Sequence, residues 1–493
     1  MSVARAWGAL CLALVFGCGR SSLDRNADAP ATSWHYQIAV DQALTRIDAK
    51  VCFDGVVPRE LRAGRDEAAG RLLYARWLGP GPVRRLPVDA GRIQLDSSKR
   101  DGCVGYGIRL SEGGSMEAAV RRVGSDLLAS PNVWLWRPER RAPELSASIE
   151  LELPARMQAL LPWPHRGTRY QLDAEAFRFD SYAAFGRLTV WAAQEHGVAI
   201  ETVLLDGPLA IDGAAALRWL RSAVHLAALS DGAFPRDRLS AILVPSGARA
   251  EPVAFGMVAR GGAASVLLLL SESAEEPALL RDWVLPHELS HLLLPFVDRE
   301  QAWLSEGLAT YYQELLLARA GARSERDALC ELAEAFRSAA TEPSRDGLHG
   351  AQPEAQPGEA RSLIEESARM RASHSYRKVY WGGAAFWFGA DVELRRRTQG
   401  HASVDTLLSQ LRREDMPRDV WTADALLGRL DALAGMHVFS EAQALAASTP
   451  FPPFEPTLAA LGVRGSGAEL ELDDAAPLAE LRHQLFALTH ETR

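Results

Sequence analysis

Residues 277–315 read PALLRDWVLPHELSHLLLPFVDREQAWLSEGLATYYQEL. Within them His287-Glu288-Leu289-Ser290-His291 sets two imidazoles four residues apart, so a helix projects both from one face with Glu288 beside them. Fourteen residues separate His291 from Glu306. Glu306 lies in Trp303-Leu304-Ser305-Glu306-Gly307-Leu308-Ala309-Thr310-Tyr311-Tyr312, a second segment with apolar residues at helical spacing. Pro295 and the polar turn Asp298-Arg299-Glu300 divide the two segments, and an antiparallel helix hairpin brings Glu306 back over the histidines. Pro286 lacks a backbone donor, so the first helix either starts there or kinks there.

With 12 histidines in 493 residues, an HExxH match arises by chance in about one or two such chains in a hundred. The competing reading is an amphipathic helix that packs through Leu289, Leu292 and Leu293 and whose histidines carry no metal. The second motif, in a helix of its own, weighs against it.

Outward from this stretch, the chain divides by pattern. Met1 to Arg5 carries charge and Ala6 to Phe16 is an apolar run too short to span a bilayer, so residues 1–17 read as a signal peptide. Val15-Phe16-Gly17-Cys18 fits the site at which bacterial lipoproteins are cut and lipidated on Cys18, with an ordinary secretory signal as the alternative. Residues 18–33 are a polar tether. No later stretch is long and apolar enough to cross a membrane.

From 34 to 207 the period is two, as in Tyr36, Ile38 and Val40 or Ile149, Leu151 and Leu153, with turn signals between the runs. That is a β-rich, sandwich-like domain. Arg137 to Arg141 reads as a solvated loop. From 208 the pattern mixes helix and strand: a helix over 213–229, strands at Leu239–Val244 and Ser265–Leu270, then helices to 445 broken by a Pro- and Gly-rich loop at 341–360. Arg395-Arg396-Arg397 reads as a solvated last turn of a helix. Residues 446–493 read as a linker and tail. The fold class is α+β.

The 47% hydrophobic content suits conventional buried cores, and the net charge of −9 offers no basic surface for nucleic acid. Cys52 and Cys103, both in the β-rich region of an exported chain, are either a disulfide or two buried thiols. Cys330 reads as a core residue of a helix.

A catalytic zinc takes three protein ligands and keeps one position for water. His287, His291 and Glu306 make up that count for one Zn2+ per chain. Glu288, adjacent to the first ligand, suits a general base that takes a proton from water and returns it to a leaving amine.

HELSH followed by WLSEGLATYY resembles the gluzincin metallopeptidases, and the TYYQELLLARAG continuation is most similar to their glycyl-aminopeptidase family, in the aminopeptidase N clan. Tyr380-Trp381-Gly382-Gly383 and the helix after it extend the likeness, which covers about 210–440. The resemblance implies a thermolysin-like, mainly helical zinc-peptidase domain behind a β-sandwich, acting on peptide or protein substrates. It implies zinc on His287, His291 and Glu306, with Glu288 as base and acid. Tyr380 would donate to the oxyanion, unless it is a core aromatic, and Tyr376 is the reserve.

Two departures stand out. The spacing from His291 to Glu306 is shorter than in most gluzincins. Where aminopeptidases of the clan carry a glutamate that grips the substrate amine, this chain reads Phe255-Gly256-Met257-Val258-Ala259-Arg260-Gly261-Gly262, without a carboxylate. Arg260 there reads as a solvated loop arginine, with a preference for an acidic substrate group as the alternative. Peptide hydrolysis is therefore expected more firmly than trimming of N-termini. A surface lipoprotein with a structural or vestigial zinc site, used for binding or scaffolding, is the second reading. A zinc hydrolase of non-peptide amides or epoxides is a third.

Overall fold

The computed structural model describes residues 33–487 except 80, 98–99, 111–118, 139–144, 231, 343–360 and 415–419. The leader, Cys18, nearly all of the tether and most of the 341–360 loop lie outside the described residues.

Two main sheets, and a minor one of three short strands, build the N-terminal part. The larger has eight strands, and its centre runs from Ser146–Glu152 through Ser33–Val40 and Arg46–Val56 to Arg100–Arg109. Cys52 stands directly opposite Cys103 in adjacent antiparallel strands, and the two are joined in a disulfide. The smaller sheet has four strands, among them Asp126–Ala129 and Ala184–Gly186. Its alternation serves two cores at once. Leu127 and Ala129 face the eight-stranded sheet, while Leu128 and Ala184 pack on Val203, Ile242, Val244, Leu267 and Leu269 of the next sheet.

That next sheet has five strands in the order Trp191–Glu195, Val198–Leu204, Arg238–Pro245, Ala264–Leu270 and Val253–Ala259. The three central strands are parallel and covered on both faces, which is why Leu239–Val244, broken only by the buried Ser240, and Val266–Leu270 read as compact apolar runs. The first two strands fall before residue 207, yet hydrogen-bond into this sheet rather than into the β-rich region. Alternation marks a strand without naming its sheet. Val253–Ala259 is antiparallel and forms the outer edge.

Helix Gly213–Ala228, capped by Asp212 on the Ala215 N–H, crosses over between Val198–Leu204 and Arg238–Pro245. Helix Val284–Ser290 packs beside it on the same sheet face. Pro286 is the third residue of that helix, where its missing N–H is one of the unpaired first-turn donors in any case, so no kink results. The helix ends in a short 3-10 turn at His291–Leu293.

Helices Ala302–Arg319 and Tyr376–Arg397 form the centre of the remaining bundle. They cross in backbone contact: a Cβ on Gly307 would lie 2.4 Å from the Gly383 carbonyl carbon, and one on Gly383 would lie 2.0 Å from the Trp303 oxygen. Two glycines thus permit an approach no other residue allows.

A buried polar network holds the far end of this pair. Tyr311 donates to Asp391 and Tyr312 to Asp405, while Arg319 and Arg395 bridge to the same two aspartates. Arg395 is therefore a buried ion-pair partner, whereas Arg396 and Arg397 lie outside and pair with Glu393. Arg137 is likewise buried and donates to the Leu135 and Phe177 carbonyls instead of facing solvent.

Beyond 446 the chain packs rather than trails. Helix Val438–Ser448 runs across that boundary, and helix Ala479–Phe486 docks so that Arg319 Nε donates to the Leu485 carbonyl at 3.0 Å. Arg482 is fully buried and reaches Glu325 at 2.7 Å. Its elements are short and their partners lie over a hundred residues upstream, so periodicity carries no sign of them. Cys330 is half-buried at the rim of the helical core. No described helix is long and apolar enough to cross a membrane.

Candidate metal centre

Helix Val284–Ser290 presents His287 and Glu288, and the 3-10 turn after it presents His291. One ligand atom from each of the three lies within 4.8 Å of the others. Helix Ala302–Arg319 runs back over them, and Glu306 Oε2 stands 3.4 Å from His287 Nε2 and 3.4 Å from His291 Nε2. A tetrahedral zinc with bonds of about 2.0–2.1 Å separates any two ligand atoms by about 3.3–3.4 Å. Glu306 already stands at that separation from each imidazole, so the residues present fit the ion.

His287 Nδ1 faces Gln313 Oε1 at 2.9 Å. An amide oxygen accepts only, so Nδ1 carries a proton and Nε2, 3.4 Å from Glu306 Oε2, is the nitrogen left to bind a metal. Gln313 continues to Glu314, which is paired with Arg323. Sequence reading passed over Gln313, although it lies seven residues beyond Glu306 and hence on the same helical face.

Glu288 is fastened to the edge strand, where its Oε2 accepts the Val258 N–H at 2.8 Å. A Cβ on Gly256 would come within 2.7 Å of Glu288 Cγ, so glycine lets strand and helix meet here. The two carboxylates are pushed in opposite directions. Burial raises Glu288 above the usual carboxylate range, against the pull of His291 and His287. Burial also acts on Glu306, but His291 and His287 outweigh it and hold this group well below its ordinary value.

Tyr380 lies over His287, with ring planes 14° apart and centroids 6.1 Å apart, close enough to Glu306 to feel its charge. Burial, then the charge of Glu306, pushes the phenol far up, so it stays protonated as a donor. Tyr376, one turn earlier, sits at the exposed start of the helix. The fold thus gathers His287, Glu288, His291, Glu306 and Tyr380, but not Tyr376, around one cavity of about 940 Å3. Met257, Trp283 and Phe296 supply its apolar walls, and Glu251 and Asp282 add carboxylates that the reading of Phe255–Gly262 did not reach.

Arg260 is not a solvated loop residue. It is half-buried, and its guanidinium donates to the Leu294 carbonyl at 2.7 Å and to that of His291. Gly261 and Gly262 turn away from the cavity and sit against Asp180 and Trp163 of the β-rich part.

Fold and site define a class: the chain resembles the gluzincin zinc metallopeptidases, and most of all their glycyl-aminopeptidase family. The model of the M61 glycyl aminopeptidase family matches residues 296–384, a segment holding Glu306 and Tyr380. Among solved structures, an aminopeptidase N family protein from Idiomarina loihiensis is similar at 17% identity, over 87% of this chain and 78% of that one, with a TM-score of 0.67. An M1 zinc metallopeptidase from Deinococcus radiodurans, bound to a Tyr-Ser-Ala substrate, is similar at 15% identity over 87% and 95%, with a TM-score of 0.51. At such identities the likeness is one of fold. No curated protein matches the chain.

Proposed function

We propose that the protein is a zinc metallopeptidase that hydrolyses peptide bonds, with His287, His291 and Glu306 as metal ligands and Glu288 as the proton carrier. The observation that supports it most is the pair of 3.4 Å separations from Glu306 to both imidazoles, beside a carboxylate fixed to a strand edge. When bound, zinc supplies Lewis acidity towards a carbonyl and a water acidified to near neutrality.

The chain's own residues supply the rest. Glu288, made more basic by burial, takes a proton from the attacking water and passes it to the leaving amine. Glu306, held anionic by its neighbours, stays a ligand. Two carboxylates with opposed environments thus take two tasks. Tyr380 keeps its proton and donates to the oxyanion as charge develops there. The free edge of Val253–Ala259 offers backbone donors and acceptors beside Glu288, on which an extended peptide adds as another strand. No carboxylate occurs between Phe255 and Gly262, so a substrate's free N-terminal amine, where one is bound, would have to meet Glu251 or Asp282 of the cavity wall instead.

Glu288→Gln separates chemistry from binding. The variant is expected to keep about one zinc by elemental analysis while kcat falls roughly 10²–10⁴-fold. Wild-type protein that takes up no zinc, or a variant with undiminished turnover, would falsify the proposal.

Export and lipid anchoring at Cys18 belong to the same reading, and the Cys52–Cys103 disulfide favours an oxidising compartment. In a bacterial host, Cys18→Ser should move the protein from the membrane fraction to the soluble one and abolish labelling by a fatty acid. Unchanged partition would remove the anchor from the account.

A further inference from the structure

A second set of metal-ligating side chains lies on the surface, away from the cavity. Strands Trp191–Glu195 and Val198–Leu204 are joined through His196 and Gly197 alone, since Glu195 pairs with Val198 across the hairpin. Both connecting residues have positive φ, +48° and +77°. This is the two-residue turn that ordinarily takes Asn, Asp or Gly at its first position. Histidine there turns its ring towards helix Gly213–Ala228, which packs on the hairpin.

His225, in the last turn of that helix, meets it. His196 Nε2 and His225 Nδ1 stand 2.7 Å apart, with ring planes 25° apart. Glu195 Oε1 lies 3.7 Å from His196 Nε2. Its other oxygen is held at 2.8 Å by Arg221, one turn before His225 on the same helical face. One ligand atom from each of Glu195, His196 and His225 lies within 4.8 Å of the other two.

We propose that Glu195, His196 and His225 form a second metal site, for a divalent transition cation of the zinc, nickel or copper type. Two imidazoles and one carboxylate suit these ions, whereas magnesium and calcium prefer all-oxygen sites. The nitrogens stand closer than the roughly 3.3 Å edge of a zinc tetrahedron. His196 and His225 are both exposed, so a small side-chain rotation can widen the gap by about half an ångström. Arg221 orients the carboxylate as outer partners of metal ligands do, leaving Oε1 to bind. A bound ion would tie the hairpin at one edge of the five-stranded sheet to the crossover helix. The inference rests on no part of the catalytic reading, because none of its ligands touches the cavity.

The test is zinc titration by calorimetry, with elemental analysis, on the full chain. Wild type is expected to bind one equivalent more than His196→Asn/His225→Gln, and the peptidase kcat/KM of that variant should be unchanged. Asparagine suits the turn and glutamine the helix, so the fold is kept. His287→Ala/His291→Ala should still bind one equivalent, and adding the two surface changes should reduce it to none. If the surface variant binds as much zinc as wild type, the 2.7 Å contact is only an N–H···N hydrogen bond and the site falls. If the cavity variant binds none, the same conclusion holds. Loss of zinc from the cavity alone would count against the peptidase reading and leave this one standing.

Discussion

His287 has two ring nitrogens, and the fold gives each a separate task. Nδ1 is spent on Gln313, and Nε2 is thereby aimed at the point Glu306 and His291 share. Replacing Gln313 by Leu keeps the volume but removes the acceptor, and zinc affinity should fall roughly 10–100-fold, measured by competition with a chelator. Unaltered affinity would mean that packing against Trp283 and Tyr380 suffices to hold the ring. At this scale the sequence was legible where spacing constrains it. Two histidines four positions apart and a glutamate in the next helix define a constellation before any coordinates. Gln313 was hidden because a glutamine on a mostly buried helix carries no chemical signature. Arg260 was misread because a loop arginine looks the same whether it meets water or two carbonyls at the end of a ligand turn.

At the scale of elements, the crossing of Ala302–Arg319 with Tyr376–Arg397 decides whether Glu306 and Tyr380 meet. Gly383→Ala drives a methyl into the Trp303 carbonyl, so it should cost about 1–3 kcal/mol in denaturant unfolding and depress kcat as the helices part. Gly389→Ala is the control: on the same helix nothing lies within 4 Å of its Cβ position, so it should be neutral or slightly stabilising. Equal effects of the two would show that close approach at the crossing is unimportant. Periodicity located both helices. It did not show which glycines touch, since a glycine in a helix looks the same whether it faces a partner or solvent.

At the scale of the molecule, three layers share one middle. The four-stranded sheet is sandwiched by two others, and the five-stranded sheet by strands on one side and helices on the other. The β-rich and helical halves are legible in the period of their apolar residues. The boundary between them is not, because the hairpin 191–204 has the first region's pattern and the second region's partners. The segment after 446 shows the same limit. Arg482→Met should cost about 2 kcal/mol or more, because Glu325 loses its buried partner. Hydrogen exchange in Ala302–Arg319 should quicken with it, since Arg319 donates to the same docked helix. Exchange confined to residues after 446 would instead mark the tail as an independent appendage.

The contact of Gly307 with Gly383 also acts as a ruler. A backbone touching a backbone has no slack to adjust, so each catalytic group is placed by counting from it: one residue back to Glu306, three residues back to Tyr380. Each residue of an α-helix turns it by about 100°. Inserting a single alanine between Tyr380 and Gly383 would therefore swing the phenol away from the histidines while leaving the composition, the burial and the crossing itself almost untouched.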